Sequence, residues 1–257
     1  METMQGQPAI PILMYHQVDT PAPRGAPLRG LTVSPAAFAR QMGLLHALGY
    51  RGVCMSELEP YLGGMLKGKV VGLTFDDGYL NNLEQALPLL QRYGFSATCY
   101  VVSNGVGGTN AWDHVRGIAS KPLMGPQHLH AWIAGGQEIG GHSCDHVDLT
   151  AVAPAAARQQ IGACKSQLEA LIDAPIRHFC YPYGRYTRDH LNMAREAGYT
   201  TATTTRRGRV HAPLAGGAGL LELPRVPVWR ATTLLAIWLK MMTGYEDRKT
   251  AGASSGD

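Results

Sequence analysis

The chain has 257 residues, 45% of them hydrophobic, and a net charge of +4 at pH 7. That length and composition fit one domain with a sizeable core, and a single α/β barrel can occupy all of it. Apart from the run Arg206-Arg207-Gly208-Arg209, the basic residues are scattered along the chain. This scattering argues against a nucleic-acid-binding surface. We interpret this short run as a solvated loop, with contact to an anionic ligand as the alternative.

The five cysteines lie far apart without Cys-x-x-Cys spacing, so we expect small buried hydrophobic residues rather than disulfides or a cysteine zinc site. The first residues lack a signal-peptide pattern, which predicts a cytoplasmic protein, or a periplasmic or extracellular one if a leader was removed. No apolar run reaches the roughly 18 residues of a membrane span. The nearest, Leu234–Met242, predicts a helix buried against the body of the protein, with an interfacial membrane helix as the alternative.

Short apolar runs alternate with helical patterns along the chain, as in parallel β/α units. They predict seven strands, in chain order 10–15, 70–75, 97–102, 138–141, 178–181, 200–204 and 221–226. This number of strands predicts a single-domain α/β barrel over residues 1–249. Residues 250–257 have the composition of a disordered tail.

Four helices are predicted between these strands from apolar stripes and their end signals. The first carries Phe38 and ends at Gly49, and the second carries Leu80 to Leu90 and ends at Gly94, although Pro88 should bend or break it. The third has Pro154 in its first turn. The fourth is capped by Thr187 and stops at Gly198.

Polar residues cluster at the ends of three predicted strands. Asp76 and Asp77 end the second strand, Gly140-Gly-His-Ser-Cys-Asp-His146 ends the fourth, and Phe179-Cys-Tyr-Pro-Tyr-Gly184 follows the fifth. Because the carboxyl ends of barrel strands surround one mouth, these clusters are expected to meet in space.

Two adjacent carboxylates in a partly buried mouth repel each other, and a divalent cation removes that conflict. His142, His146 and one of the two aspartates form a two-histidine, one-carboxylate set that leaves metal positions open for water and substrate. The other aspartate is then free to act as a general base. Alone, Asp-Asp-Gly is usually a turn and His-x-x-x-His a surface pair, but the two patterns at ends of the same barrel favour a metal site.

Three motifs together resemble those of the polysaccharide deacetylases, carbohydrate esterase family 4 with the NodB homology domain. They are Thr74-Phe-Asp-Asp-Gly78, His142-Ser-x-x-His146 and Tyr181-Pro-Tyr-Gly184, and the resemblance covers about residues 8 to 230. The opening Ile12-Leu-Met-Tyr-His16 is similar to that of many bacterial members, including those similar to poly-N-acetylglucosamine deacetylases. The resemblance implies a distorted (β/α)7 barrel, in agreement with the strand count.

The resemblance also implies the roles of individual residues. Asp76 corresponds to the catalytic base, and Asp77, His142 and His146 correspond to the metal ligands. Pro182 and Tyr183 are expected along the substrate groove. The Tyr183 N–H is expected to help stabilise the oxyanion, and one such donor lowers the barrier by about 3 to 4 kcal/mol.

Two positions depart from the family pattern. Cys180 stands where many members have an arginine, and we expect it to be a buried strand residue, with Arg177 too far along the strand to replace the arginine. Arg225 stands where many members have the histidine of a Leu-x-His motif that acts as the general acid, and arginine is a poor proton donor. Arg225 is assigned to substrate binding, or else pairs with an acidic group.

The sequence therefore leaves three candidates for the general acid. His16 is the first candidate, His211 the second, and Asp76 returning its own proton the third. For His16 the alternative is a histidine that orients Asp76 or the rim. Asp113 lies on a loop expected to reach the mouth, but a helix N-cap is equally in keeping with its surroundings.

The predicted function is hydrolysis of N-acetyl groups on amino sugars of a polysaccharide or its precursor. The predicted cofactor is a divalent metal, zinc first, with cobalt, nickel, manganese or iron as alternatives. The functional alternatives are a sugar amidase acting on a small or lipid-linked substrate, as deacetylase or deformylase, and an inactive carbohydrate-binding barrel. Loops 105–126 and 206–219 are expected to set selectivity.

Overall fold

In the computed structural model, the residues described are 9–214 and 218–248. The strands are β1 Ile12–Tyr15, β2 Gln17–Val18, β3 Thr32–Val33, β4 Arg51–Val53, β5 Val70–Phe75, β6 Thr98–Val101, β7 Glu138–Gly141, β8 His178–Cys180, β9 Thr201–Arg207 and β10 Leu223–Pro227. The α-helices are α1 Pro35–Ala47, α2 Met55–Leu62, α3 Leu87–Arg92, α4 Pro126–Ala134, α5 Pro154–Ile172, α6 Arg188–Glu196 and α7 Leu234–Met242.

Among the described residues, seven parallel strands close into a barrel in the order β1, β5, β6, β7, β8, β9, β10 and back to β1. All six residues of β5 are buried, as expected for a parallel strand covered on both faces. The predicted single-domain (β/α)7 barrel is thus confirmed. The predicted tail lies outside the described residues, and the domain limits stay a prediction.

Strand β4, which was not predicted from the sequence, pairs with the first half of β5. Its sequence is only Arg-Gly-Val, too short to show a periodicity. The helix that follows it, α2, closes the end of the barrel opposite the mouth, and its Met55, Leu58 and Leu62 pack with Ile12 and Leu223 of the barrel interior. With this end closed by apolar packing, the barrel opens to solvent at the carboxyl ends of its strands.

The predicted helix around Pro88 is continuous but irregular. A π-helical turn over Asn82–Ala86 leads into α3, where Pro88 occupies the first turn. Proline has no N–H to donate, and in the first turn of a helix that hydrogen bond is not needed. The wider π-helical turn before α3 therefore accommodates Pro88 without ending the helix. The helix starts at Pro154 and at Thr187 are confirmed.

The chain before and after β10 differs from the sequence prediction. Arg207 is still in β9 and binds Glu246, while Arg209 binds Asp247, so the prediction of a solvated loop was wrong for these two arginines. The burial prediction for Leu234–Met242 was wrong for one face. Ile237 and Met241 are buried, but Leu235 is 66% exposed.

All five cysteines are buried and free, as predicted. In the described part of the chain, no helix combines the length and the apolar character that crossing a membrane requires.

Candidate active site

The mouth of the barrel is built from loops that hold ordinary residues in left-handed backbone conformations. Asp77 has φ +74°, Ser143 +62°, His146 +55° and Tyr183 +58°. Each such conformation costs free energy in a non-glycine residue, and it persists only where the surrounding structure enforces it. Their concentration at the ends of β5, β7 and β8 marks this mouth as a functional site.

Asp77, His142 and His146 converge as the sequence predicted. Asp77 Oδ1 lies 3.4 Å from His142 Nε2 and 3.2 Å from His146 Nε2, and the three ligand atoms all lie within 4.8 Å of one another. Burial would raise the pKa of Asp77, but hydrogen bonds from the two histidines hold it well below the usual range. The carboxylate is therefore ionised, which is the form that binds a metal.

The two histidines are oriented by their surroundings. His142 Nδ1 lies 2.7 Å from the Cys180 carbonyl oxygen, which can only accept, so Nδ1 keeps its proton. Nε2, which donates to Asp77 when no metal is bound, is the nitrogen that would lose its proton and bind a metal. The ring of His146 is stacked on Trp112 at 4.8 Å and meets the edge of Tyr183 at 4.6 Å. Burial lowers the pKa of His146 and favours its neutral, metal-binding form. These three residues fit a divalent cation.

Asp76 faces a different partner. Its two carboxylate oxygens accept hydrogen bonds from Arg225 Nη1 at 2.7 Å and Nη2 at 2.8 Å, and Arg225 is fully buried. Burial would raise the pKa of Asp76, but the guanidinium overrides it and keeps the pKa below its usual value. Asp76 is thus an ionised, fixed carboxylate beside the candidate metal ligands, as a general base requires.

A cavity of about 160 Å³ opens above these residues. Asp76, Asp77, His142 and His146 line it together with Tyr183 and His16, whose Nε2 lies 3.9 Å from Asp76 Oδ2. The remaining lining residues include Leu28, Leu31, Trp112, Asp113, Arg116 and Thr205. The cavity therefore brings together six of the predicted site residues.

Some predicted assignments do not fit the structure. Arg225 has no exposed surface and pairs with Asp76, which agrees with the acid-pairing alternative and not with the assignment to substrate binding. Pro182 is buried and does not line the cavity. His211 is 71% exposed beside Asp247 and follows Val210, which pairs with Ile10 at the closed end of the barrel, so it cannot donate a proton at the mouth.

Three further positions complete the comparison with sequence. Cys180 is buried in β8, as predicted, and its Sγ lies 3.2 Å from Arg225 Nη2. Arg177 instead reaches toward Glu59 and plays no part in the site. Asp113 is not an N-cap, since Asn110 precedes that helical segment, and it lines the cavity with its pKa raised by burial.

Trp112, the residue that covers His146, was not predicted from the sequence. Asp113 placed this loop near the mouth, but the sequence around a single tryptophan does not predict which side chain it will stack on. The loop itself was correctly predicted to reach the mouth.

The family model for polysaccharide deacetylase matches residues 63–202 of this chain, the span that holds all four residues Asp76, Asp77, His142 and His146. The chain belongs to the polysaccharide deacetylase family. YxkH of Bacillus subtilis, whose name places it in the same family, is 30% identical over 221 residues, which are 85% of this chain and 71% of YxkH. This deacetylase is accordingly a hydrolase of carbon–nitrogen bonds.

Two other comparisons agree with this assignment. The poly-β-1,6-N-acetyl-D-glucosamine N-deacetylase of Escherichia coli K12 is 25% identical over 269 residues, covering 91% of this deacetylase but only 38% of the E. coli protein. The Streptococcus pyogenes deacetylase PplD, solved with acetate, superposes with a TM-score of 0.76 at 26% identity, covering 91% of this chain and 98% of PplD.

Proposed function

We propose that this deacetylase removes N-acetyl groups from amino sugars in a metal-dependent hydrolysis, with Asp77, His142 and His146 as the metal ligands and Asp76 as the base. The observation that carries the proposal is that the two adjacent aspartates bind different partners. Asp77 faces two histidine nitrogens, whereas Asp76 is bound by Arg225. A divalent cation, most simply zinc, would polarise the amide carbonyl and activate a water.

The residues of the chain supply the proton transfers. Asp76 accepts a proton from the attacking water, because Arg225 keeps it ionised and its geometry fixed. The Tyr183 N–H is proposed to bind the oxyanion, and Tyr183 is held in its left-handed conformation beside His146. His16, 3.9 Å from Asp76, is proposed to protonate the leaving amine, so that acetate and a free amine form.

The substrate class follows from the same family. The E. coli relative named above is called a poly-N-acetylglucosamine deacetylase, and we propose an N-acetylated amino sugar here. A deformylase would use the same residues on a smaller acyl group. An inactive binding barrel is disfavoured, because such a barrel gains nothing from holding four buried polar side chains at one mouth.

The experiment is acetate release from N-acetylglucosamine oligomers by the metal-loaded protein, comparing Asp76→Asn, His16→Gln and the wild type. Asn keeps the size of Asp76 but cannot accept the proton, so we expect kcat to fall by about 10²–10⁴-fold. His16→Gln is expected to lower kcat, because the leaving amine then lacks its proposed proton donor. Full activity of Asp76→Asn would contradict the assignment of the base.

A control variant is Asp145→Asn, next to the ligand His146 but exposed and hydrogen-bonded to Asn104 and Gln160. Its activity should stay close to that of the wild type. A loss as large as in Asp76→Asn would mean that the assay reports general disturbance of the mouth.

A further inference from the structure

One edge of the molecule carries an unusual number of exposed large apolar side chains. We call it the apolar edge, formed by Leu28, Trp229, Leu234, Leu235, Trp238 and Met242, which are 46%, 38%, 37%, 66%, 39% and 40% exposed. Leu234, Trp238 and Met242 recur every four residues and so form a stripe along α7 beside its buried face. Exposed apolar surface of this extent indicates an interaction site.

The two segments that form the apolar edge lie side by side. The Arg230 N–H donates to the Gly30 carbonyl at 2.8 Å, and Gln41 Nε2 of α1 donates to the Thr232 carbonyl at 3.2 Å. Near the other end of α7, the Tyr50 hydroxyl lies 3.0 Å from Met242 Sδ. The loop before β3, helix α1 and helix α7 therefore make one continuous face.

The two segments that form the apolar edge carry charge of one sign. Residues 20–56 contain no aspartate or glutamate, and neither do residues 223–245. Arg24, Arg40 and Arg230 are exposed there, and none of them forms an ion pair with another described residue. Tryptophan and leucine combined with unpaired arginines and no acid are the composition of a surface that rests on anionic lipid headgroups.

A groove begins at Leu28 of the apolar edge and runs next to the catalytic cavity. It has a volume of about 170 Å³ and shares Leu28, Leu31 and Asp113 with that cavity. Much of the rest of its wall is aliphatic, from Ala22, Pro23, Ala26, Pro27, Ile118 and Ala119. Its one aromatic lining residue among those described, Tyr79, is only 2% exposed, so the groove offers no open ring face on which a sugar could stack. Hydrocarbon fits the aliphatic part of the lining, while the polar part is formed by Gln17, Thr20, Arg29, Thr32 and Lys121.

We propose that the apolar edge lies on an anionic lipid surface and that the groove receives the hydrocarbon of a lipid-linked amino sugar whose acylated sugar enters the catalytic cavity. Binding of the apolar edge to a lipid surface does not depend on the reaction proposed for the catalytic cavity. The choice of substrate rests on the proposed function, since it needs the cavity to hydrolyse an N-acyl group.

The lipid surface is tested by co-sedimentation of the full chain with vesicles of phosphatidylcholine, alone or mixed with phosphatidylglycerol. We expect binding to the mixed vesicles, weakened about tenfold or more in Leu235→Asp/Trp238→Asp. Both residues are exposed, so the melting temperature should not change. Met65→Asp is the matched control, because Met65 is 77% exposed but lies after α2 at the closed end.

Three results would overturn the lipid surface. They are absence of wild-type binding to the mixed vesicles, equal binding by all variants, and a dimer in solution that only Leu235→Asp/Trp238→Asp disrupts. The last would assign the apolar edge to contact between two copies of the chain.

The groove is tested by comparing octyl and methyl N-acetylglucosaminide as substrates. We expect a higher kcat/KM for the octyl glycoside in the wild type and loss of that preference in Ala26→Trp, which fills the groove. Equal kcat/KM for the two glycosides, with oligomers still deacetylated, would overturn the groove assignment alone. Absence of acetate from every substrate would overturn the proposed function and the lipid-linked substrate with it, whatever the vesicles show.

Discussion

Arg225 is the residue whose role depends most on tertiary structure. It comes from β10, yet its guanidinium binds the carboxylate of Asp76 at the end of β5 and touches Cys180 of β8. Cysteine at position 180 leaves room for it. A buried ion pair of this kind is strongly destabilising to break, because the partner is left as an uncompensated charge.

We predict that Arg225→Met lowers the free energy of unfolding by about 3–5 kcal/mol. Because the pKa of Asp76 is depressed in the folded protein, the stabilisation by Arg225 is present above the unfolded pKa, near 3.9, and is lost as pH falls. Urea unfolding at several pH values measures it, and the gap between variant and wild type should close toward low pH. The acid limb of kcat/KM should also move to higher pH, since burial then raises the pKa of Asp76 unopposed.

The matched control is Arg158→Met. Arg158 and Glu196 form an ion pair in which both side chains are 57% exposed, so this change should cost no more than about 1 kcal/mol. A loss in Arg225→Met no larger than in this control would contradict the buried role.

At the level of elements, the turn after β8 fixes the position of Tyr183. Gly184 has φ +69°, and a Cβ on it would lie 1.9 Å from Thr205 Oγ1, a residue that also lines the cavity. The bulge between β9 and β10 brings Thr205 there. Turn and bulge therefore pack directly on each other, and the turn tolerates only glycine.

We predict that Gly184→Ala destabilises the protein by more than about 1 kcal/mol and lowers kcat/KM, because the turn and Tyr183 must shift. Gly162→Ala serves as a control of opposite sign. Gly162 lies within α5, and a Cβ added to it would meet no other atom within 4 Å, so alanine should stabilise by about 0.5–1 kcal/mol. The measurements are thermal unfolding and kcat/KM of both variants. Equal stability of the two variants would contradict the steric argument.

On the scale of the whole molecule, the last described segment is tied back to the barrel. Glu246 is fully buried and binds Arg207 of β9 and Lys240 of α7. Asp247 binds Arg209 in the same way. These contacts hold α7 along the barrel and so fix the face that carries the apolar edge.

We predict that Glu246→Gln costs about 3 kcal/mol of unfolding free energy, because Gln removes the buried carboxylate that binds both the buried Lys240 and the partly exposed Arg207. Burial raises the pKa of Glu246, but the hydrogen bonds from Arg207 and Lys240 hold it below its usual value, so its stabilisation is lost as pH falls. The exposed Glu196→Gln is the control for equilibrium unfolding. A cost of the same small size in both variants would show that the pairing contributes little.

How much the sequence predicts depends on the range of the interaction. Asp77, His142 and His146 were predictable because each ends a strand, and parallel strands of a barrel must end at one mouth. Arg225 was not, because its partner is 149 positions away and nothing local distinguishes an arginine that binds an acid from one that binds substrate. The first interpretation of α7 was wrong for a related reason: a helix that is apolar nearly all round is buried only if every face finds a partner.

The central claim is that the two adjacent aspartates have different tasks, and the most direct measurement is calorimetric titration of the metal-stripped protein with zinc. We predict one site in the wild type, retained in Asp76→Asn although activity is lost, and abolished or weakened at least about tenfold in Asp77→Asn. Loss of the zinc site in Asp76→Asn with retention in Asp77→Asn would reverse the two roles. Equal affinities in all three proteins would contradict the metal site itself.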